Sequence, residues 1–370
     1  MQTRGAVAVG VGTKWSVESL ELEEPRDREV LVRVTVAGLC HSDQHLLTGD
    51  LAQPLPLVGG HEGAGVVERV GKRVTVVRPG DHVALSFMPG CGRCKWCVRG
   101  EQFICDNGRD METGLMLDGT ARFRRTDGAG IGAIQRLGTF SNWLIASEEQ
   151  CIRIDNDIPL EVAAAVSCGV ATGWGSAVKV GEVRPNDLVL VLGTGGVGMN
   201  AIQGAVQAGA RWVVAVDTNR WKRELALQFG ASASFDSIAA ARQYIGNRTN
   251  GQGADVAIVT VGRVDGGLIA EAFRMVRKRG TCVVVSLGQN VPPIDINPQE
   301  LTVYAKTLRG SVYGYCNPVT DIPDLLAAGA AGKLKLSELI TQCFPLDDIN
   351  ETYTMLEQGE LLRGMIRHEH

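Results

Sequence analysis

The stretch Leu188-Val-Leu-Val-Leu-Gly-Thr-Gly-Gly-Val-Gly-Met-Asn-Ala-Ile-Gln-Gly-Ala-Val-Gln-Ala-Gly-Ala210 contains no charged side chain, and its reading decides the fold. By residue count it is long enough to cross a bilayer. Its internal order argues against that. Leu188 to Leu192 is a short apolar run, Gly193 to Gly198 is dense in glycine, and Asn200, Gln203 and Gln207 recur on a helical period. The pattern predicts strand, tight turn and helix.

Further apolar runs lie at Trp212 to Val216, Val256 to Val261 and Cys282 to Leu287. They alternate with helix-compatible segments at Val197 to Ala208, Arg220 to Phe229 and Leu268 to Arg277. Repeated strand-helix-strand units predict an α/β region whose parallel sheet is covered by helices on both faces. In this setting Gly193, Gly195 and Gly198 gain a chemical meaning. The first permits a tight turn, the second admits a pyrophosphate close to the backbone, and the third lets helix and strand pack closely. Val197 then opens the helix, whose N-terminus favours phosphate charge. Asp217 follows the next strand, where its carboxylate can accept bonds from ribose hydroxyls. That favours NAD over NADP, although Arg220 or Lys222 could accommodate a 2′-phosphate. The plainer reading is a structural turn followed by an ordinary helix cap.

A chain of 370 residues with 45% apolar content exceeds one ordinary core and has material for two. Its 37 basic and 41 acidic side chains give a formal net charge of -4 and no broad reason to seek nucleic acid or an anionic membrane. Met1 to Gly10 lacks the apolar core and cleavage pattern of a secretory signal, so the expected location is cytoplasmic. No low-complexity linker or short-period repeat interrupts the chain.

Residues 1 to 85 carry short alternating or apolar segments, including Val30 to Val36 and Gly65 to Val70, which read as mostly antiparallel strands. From Cys91 to Gln135 there is little periodicity beyond a short helix around Cys94 to Arg99. Within it, Cys91, Cys94, Cys97 and Cys105 have the spacing C-x2-C-x2-C-x7-C, which allows four thiolates to close around a tetrahedral structural zinc. An iron–sulfur cluster or redox cysteines are the alternatives. A second set is dispersed: Cys40, His61 with Glu62, and Cys168. Spacing alone does not single it out from buried core residues. Two cysteines and a histidine can nevertheless leave an open zinc position for substrate. Pro159 and the run Val162 to Val166 predict a buried helix leading to Cys168.

The ordered motifs Cys40-His41-Ser42-Asp43 with His45, Gly60-His61-Glu62 with Gly65, the four-cysteine lobe, Ser167-Cys168-Gly169 and GTGGVG resemble zinc-containing medium-chain alcohol dehydrogenases along nearly the whole chain. The resemblance implies a GroES-like, mainly β catalytic domain at 1–171 and 313–370, with the zinc lobe at 91–105. A Rossmann parallel-sheet nucleotide-binding domain would occupy 172–312. It implies Cys40, His61 and Cys168 as catalytic zinc ligands, Glu62 as an adjacent or alternate ligand, and two zinc ions per chain. Ser42 would begin a proton relay that ends at His45. Asp43 would orient the metal shell. Gly193, Gly195, Gly196, Val197, Gly198, Asp217 and Lys222 would bind the dinucleotide. His41 replaces an arginine that contacts pyrophosphate in many relatives, and Arg363 matches a second phosphate-contacting position. Phe87, Phe140 and Leu287 would line an apolar substrate pocket.

The segment from Gly114 to Gly138, beginning GLMLDGTARFRR, together with ELTVYAKTLRG and AGKLKLSELIT, is similar to actinobacterial, particularly mycobacterial, NDMA-dependent alcohol dehydrogenases. Those are nicotinoproteins. The resemblance implies an NAD retained through turnover and reoxidised in place by an external acceptor, with mycofactocin as the physiological partner, and a homodimer or homotetramer. Ordinary NAD exchange and glutathione-dependent formaldehyde oxidation are the rival enzymatic readings. A metal-independent quinone reductase would not require Cys40, His61 and Cys168, and a non-enzymatic nucleotide-binding protein would leave the zinc site inert.

Overall fold

A computed structural model describes all residues except 264 and 287–292. The chain divides into two compact units, Met1–Cys168 with Asn317–His370, and Gly169–Cys316. The first is built from β-structure. Gln2–Ala8, Ser16–Leu22, Phe123–Arg124, Gly130–Ala133 and Leu57–Val58 close into a small barrel. A second sheet runs in the order Cys151–Ile154, His82–Leu85, Glu62–Val70, Glu29–Gly38, Arg363–Arg367, Ile340–Pro345. Its central strand, Glu29–Gly38, is apolar enough to be buried on both faces, and it serves two partners along one side of the sheet. Trp143–Ser147 pairs with Glu29 to Arg33, and the C-terminal strand pairs antiparallel with Val36 to Gly38. The tail therefore returns to the first unit through backbone hydrogen bonds, which sequence periodicity could not show.

The second unit holds a six-stranded sheet in the order Ala233–Phe235, Trp212–Val216, Leu188–Leu192, Ala254–Val259, Val276–Val284, Thr307–Gly310, with every pairing parallel. Numbered within the unit, this is the 3-2-1-4-5-6 order of a Rossmann sheet, and the order reverses beside Leu188–Leu192. The uncharged stretch that begins there is a strand, a glycine turn and the helix Gly196–Gln207. Among the described residues, no helix is long and apolar enough to cross a membrane.

Three local expectations differ from the structure. The cysteine-rich segment has no α-helix at Cys94 to Arg99 but a chain of single 3-10 turns at Cys97–Arg99, Gln102–Ile104 and Asp106–Gly108. The strand expected from Cys282 begins earlier, at Val276, because it follows the helix Gly266–Met275 with no loop between them. The return to the first unit falls at Asn317 rather than at Tyr313. Gly314, at φ +63, lies so close to the backbone of Ala171, Thr172 and Gly175 that a Cβ there would collide with it, and this close approach keeps 313–316 in the second unit.

Beyond the C-terminal strand, His368 is buried and its Nε2 donates to the Thr139 carbonyl at 2.9 Å. Burial lowers its pKa to about 4. At intermediate pH the unfolded chain then binds more protons than the native one, so stability rises with pH. His368 should contribute its full share above about pH 6.5, the free-imidazole value. The share should be lost as pH falls toward 4, and it amounts to about 3 kcal/mol. Denaturant titrations across this window should show a shallower pH dependence in His368→Gln, which retains a donor. An unchanged slope would rule out His368 as the source.

Candidate active site and metal centres

Four sulfurs converge first. The ligand atoms of Cys91, Cys94, Cys97 and Cys105 lie within 4.8 Å of one another. Cys91 Sγ is 3.9 Å from Cys97 Sγ, and Cys94 Sγ is 4.0 Å from Cys105 Sγ. A zinc tetrahedron with Zn–S bonds of about 2.3 Å has edges of about 3.8 Å, so the spacing fits. Gly92 and Gly100, at φ +71 and +83, take the left-handed turns that fold the segment back on itself. The N–H groups of Cys91, Cys94 and Cys97 point at the sulfurs of Cys105, Cys91 and Cys94. Burial raises the Cys94 thiol, but backbone N–H donors outweigh it and bring it down to about 6, while burial pushes Cys97 and Cys105 up. All four are free of disulfides.

The dispersed set also assembles. Cys40 caps the helix His41–Thr48, His61 and Glu62 lie at the start of the strand Glu62–Val70, and Cys168 sits in the helical stretch Val166–Val170. Their ligand atoms lie within 4.8 Å of one another, all inside the first unit. Cys168 Sγ is 3.5 Å from His61 Nε2, and Cys40 Sγ is 3.6 Å from Ser42 Oγ. On the other side of the ring, His61 Nδ1 lies 3.0 Å from Asp43 Oδ1, which also accepts the Gly60 N–H at 3.0 Å. With Nδ1–H donating to Asp43, the Nε2 lone pair is left for a metal. Two thiols, an imidazole and a nearby carboxylate are the donors of an open zinc site.

Charge is balanced tightly in this pocket. Asp43 and Glu62 are fully buried. Burial works against charge on His61, but the Asp43 carboxylate holds its pKa well above the ordinary value. Burial raises Asp43, and it pushes Glu62 up to about 7 despite the Arg363 guanidinium. The hydrogen bond between the two thiols lowers Cys40 and raises Cys168. Glu62 Oε1 accepts from Arg363 Nη2 at 2.9 Å, while its Oε2 has no hydrogen-bond partner among the described residues. Arg363 Nη1 donates to the Leu39 carbonyl at 3.0 Å, and the Tyr353 hydroxyl donates to the Cys40 carbonyl at 3.3 Å.

Several expected positions fall differently. Arg363 was expected at a phosphate, but its hydrogen bonds go to Glu62 and Leu39, because a carboxylate with no access to water needs a compensating charge. Phe140 is a core residue rather than a pocket wall. It is fully buried, 5.6 Å from the Trp15 ring and 6.2 Å from the Tyr353 ring. Phe87 does stand at the site, its ring edge-on to His61 at 5.5 Å. Leu287 lies outside the described residues. Ser42 and His45 share one face of their helix, but His45 is 7% exposed rather than open to water, with Nδ1 3.4 Å from Asp50 Oδ2. His41 begins the same helix. Sequence reasoning missed Tyr353, which nothing but an apolar helical period marks.

In the second unit Gly193, at φ +88, turns the chain out of its strand. A Cβ on Gly198 would strike the Gly193 carbonyl, whereas one on Gly195 would meet nothing within 4 Å among the described residues. The loop thus has room at Gly195 and is closed at Gly198, where helix and strand pack. Gly196 and Val197 form the first helical turn. Asp217 Oδ2 accepts the Thr194 N–H at 2.7 Å and its hydroxyl at 3.0 Å, so the carboxylate also braces the loop. Lys222 lies half-buried in the first turn of Arg220–Gln228, and Arg220 is paired with Glu224.

A Rossmann sheet with this loop, and a β-unit with one closed and one open zinc-type donor set, define a zinc- and nucleotide-dependent oxidoreductase. The alcohol dehydrogenase GroES-like domain matches residues 26–156, and the zinc-binding dehydrogenase domain matches 196–330. The chain is 44% identical over 369 residues to a putative alcohol dehydrogenase D of Mycobacterium tuberculosis, covering 100% of both. It is 45% identical over 377 residues to an NDMA-dependent alcohol dehydrogenase of Amycolatopsis methanolica, covering 100% of this chain and 99% of the relative. Among solved structures, an alcohol dehydrogenase zinc-binding domain protein from Burkholderia ambifaria superimposes with TM-score 0.91 at 31% identity, covering 100% of each chain. Benzyl alcohol dehydrogenase from Acinetobacter calcoaceticus does so with TM-score 0.92 at 26% identity, again covering 100% of each. The chain belongs to the zinc-binding medium-chain alcohol dehydrogenases. It is a zinc-dependent alcohol dehydrogenase with a nucleotide-binding Rossmann unit.

Metal analysis of the purified protein should find two zinc ions per chain, matching the two clusters. Cys91→Ser should lose the closed-site zinc and much of its folded yield, whereas Cys168→Ser should stay folded and lose more than the ~10–100-fold that removal of an outer partner costs. Two zincs and full turnover in both variants would refute the ligand sets.

Proposed function

We propose that this enzyme oxidises alcohols with apolar chains to aldehydes or ketones, using an NAD that stays bound through turnover and is reoxidised in place by an external acceptor. The observation that carries this reading is the 45% identity, over the whole chain, to an NDMA-dependent alcohol dehydrogenase. When bound, zinc supplies Lewis acidity that makes the alcohol hydroxyl more acidic, and NAD supplies the hydride acceptor.

The chain's own residues do the rest. Cys40, His61 and Cys168 hold the metal, with Glu62 as the adjacent carboxylate, and Asp43 keeps His61 in the tautomer that leaves Nε2 free. Ser42, beside Cys40, takes the hydroxyl proton and passes it toward His45, whose imidazole lies beside Asp50. Phe87 gives the alcohol an apolar surface beside His61. Gly193 to Gly198 receive the pyrophosphate on backbone N–H groups, and Asp217 accepts from the ribose while repelling a 2′-phosphate, which favours NAD. Lys222 flanks the ribose. His41 contributes to the pyrophosphate grip as a weaker donor than arginine, so retention rests mainly on backbone contacts. Mycofactocin is the proposed external acceptor, and the assembly is a homodimer or homotetramer, whose mass light scattering would give.

Protein desalted extensively under native conditions should release nearly one NAD or NADH per active chain only after denaturation. It should also oxidise an alcohol with an artificial acceptor and no added NAD. Nucleotide-free protein that regains rapid turnover with freely exchanging NAD would overturn retention and leave zinc-assisted alcohol oxidation standing.

A further inference from the structure

The segment from Gly114 to Gly138, distinctive in the sequence and without a part in the chemistry above, forms one wall of a cavity of about 290 Å³ in the first unit. Small-molecule sites begin at about this size. The opposite walls come from the stretch around Arg26 to Glu29, from Arg73, and from Arg93 and Asn107 of the four-cysteine lobe.

Most charges around it cancel. Arg26 pairs with Asp118, Arg28 with Glu148, and Glu29 with Arg122. Three guanidiniums on the wall have no carboxylate within 4.0 Å among the described residues: Arg73, Arg93 and Arg136. The first two are exposed. Arg136 is 6% exposed, and its nitrogens donate to the carbonyls of Leu115, Asn107 and Arg109 at 2.7, 2.6 and 2.7 Å. Its hydrogen bonds are thus largely met, while burial weighs against its charge and Asp110 and Glu112 offset that only from beyond ion-pair distance. Two wall carboxylates, Asp27 and Glu149, also lack an ion-pair partner among the described residues, which leaves the wall guanidiniums without a close carboxylate in excess by one. Asn107 adds a buried Nδ2 donor with no hydrogen-bond partner among the described residues. The unmet polar demand here is therefore weighted toward donors and positive charge, and it calls for an acceptor-rich anion. The remaining surface is apolar, from Pro89, buried Met116 and Leu117, which is 54% exposed.

We propose that this cavity binds a small organic anion, a carboxylate or phosphate monoester on a short apolar chain, with its charged end against Arg73 and Arg93 and its chain along Pro89, Met116 and Leu117. Nothing in this assignment uses the metal ligands or the glycine loop.

Calorimetric titration of the zinc-loaded, full-length enzyme with hexanoate and with hexyl phosphate tests it, in the wild type and in the double variant Arg73→Gln/Arg93→Gln. At least one probe should bind the wild type, and the double variant should bind it about tenfold or more weakly, since two charge-assisted contacts at exposed side chains are lost. Zinc content and alcohol turnover should not change in that variant. Acetate should bind more weakly than hexanoate, because it lacks the methylenes that the apolar wall would cover. Failure of both probes to bind the wild type, equal affinity in the double variant, or acetate binding as tightly as hexanoate would each overturn the proposal.

Discussion

Asp43 and Glu62 are carboxylates wholly withdrawn from water, and the rest of the first unit is arranged around that constraint. A buried carboxylate is tolerable only with a positive partner or several donors. Asp43 finds His61 and the Gly60 N–H close by in sequence. Glu62 finds Arg363, 301 residues further along the chain. The pairing of Arg363–Arg367 with Val36 to Gly38 is what carries that guanidinium into place. Gly38 stands opposite Glu62 in the sheet, and a Cβ there would strike the Glu62 carboxylate. Arg363 and Tyr353 also donate to the successive carbonyls of Leu39 and Cys40, so the C-terminal segment holds the backbone that presents the first sulfur.

The two metal-type sites solve different problems. In the four-cysteine lobe the chain has only single 3-10 turns, and glycine turns with N–H···S bonds position sulfurs that lie close in sequence. In the open site the donors come from a helix cap, a strand end and a helical stretch, so their geometry depends on the packing of the whole unit. A ligand set held by a core can keep one coordination position free, whereas a short loop wrapped around an ion tends to close it.

A similar double use of one group appears in the second unit. Asp217, proposed as a ribose acceptor from its place after the second strand, takes two bonds from Thr194 and one from the Asn219 N–H. A carboxylate has about four acceptor sites, so bracing the loop and meeting a hydroxyl are compatible. Thr260 completes the brace by donating to the Gly193 carbonyl at 2.6 Å. Side chains thus brace the loop from within the unit.

Residues Leu188 to Gly198 determined a strand, turn and helix by themselves, because apolar runs and glycine spacing act on backbone geometry within a few residues. Cys91 to Cys105 determined a closed four-sulfur site for the same reason. Cys40, His61 and Cys168 were legible only through resemblance, since no local rule ties residues so far apart. Phe140 shows the limit of position matching: its number suggested a pocket, and its packing against Trp15 and Tyr353 made it core. The 3-2-1-4-5-6 strand order, the return of the tail to Val36 to Gly38 and the meeting of Arg363 with Glu62 were decided only by the tertiary structure. Each depends on which distant surfaces pair and in what register, and that is set by the burial of the whole core rather than by any neighbouring residue.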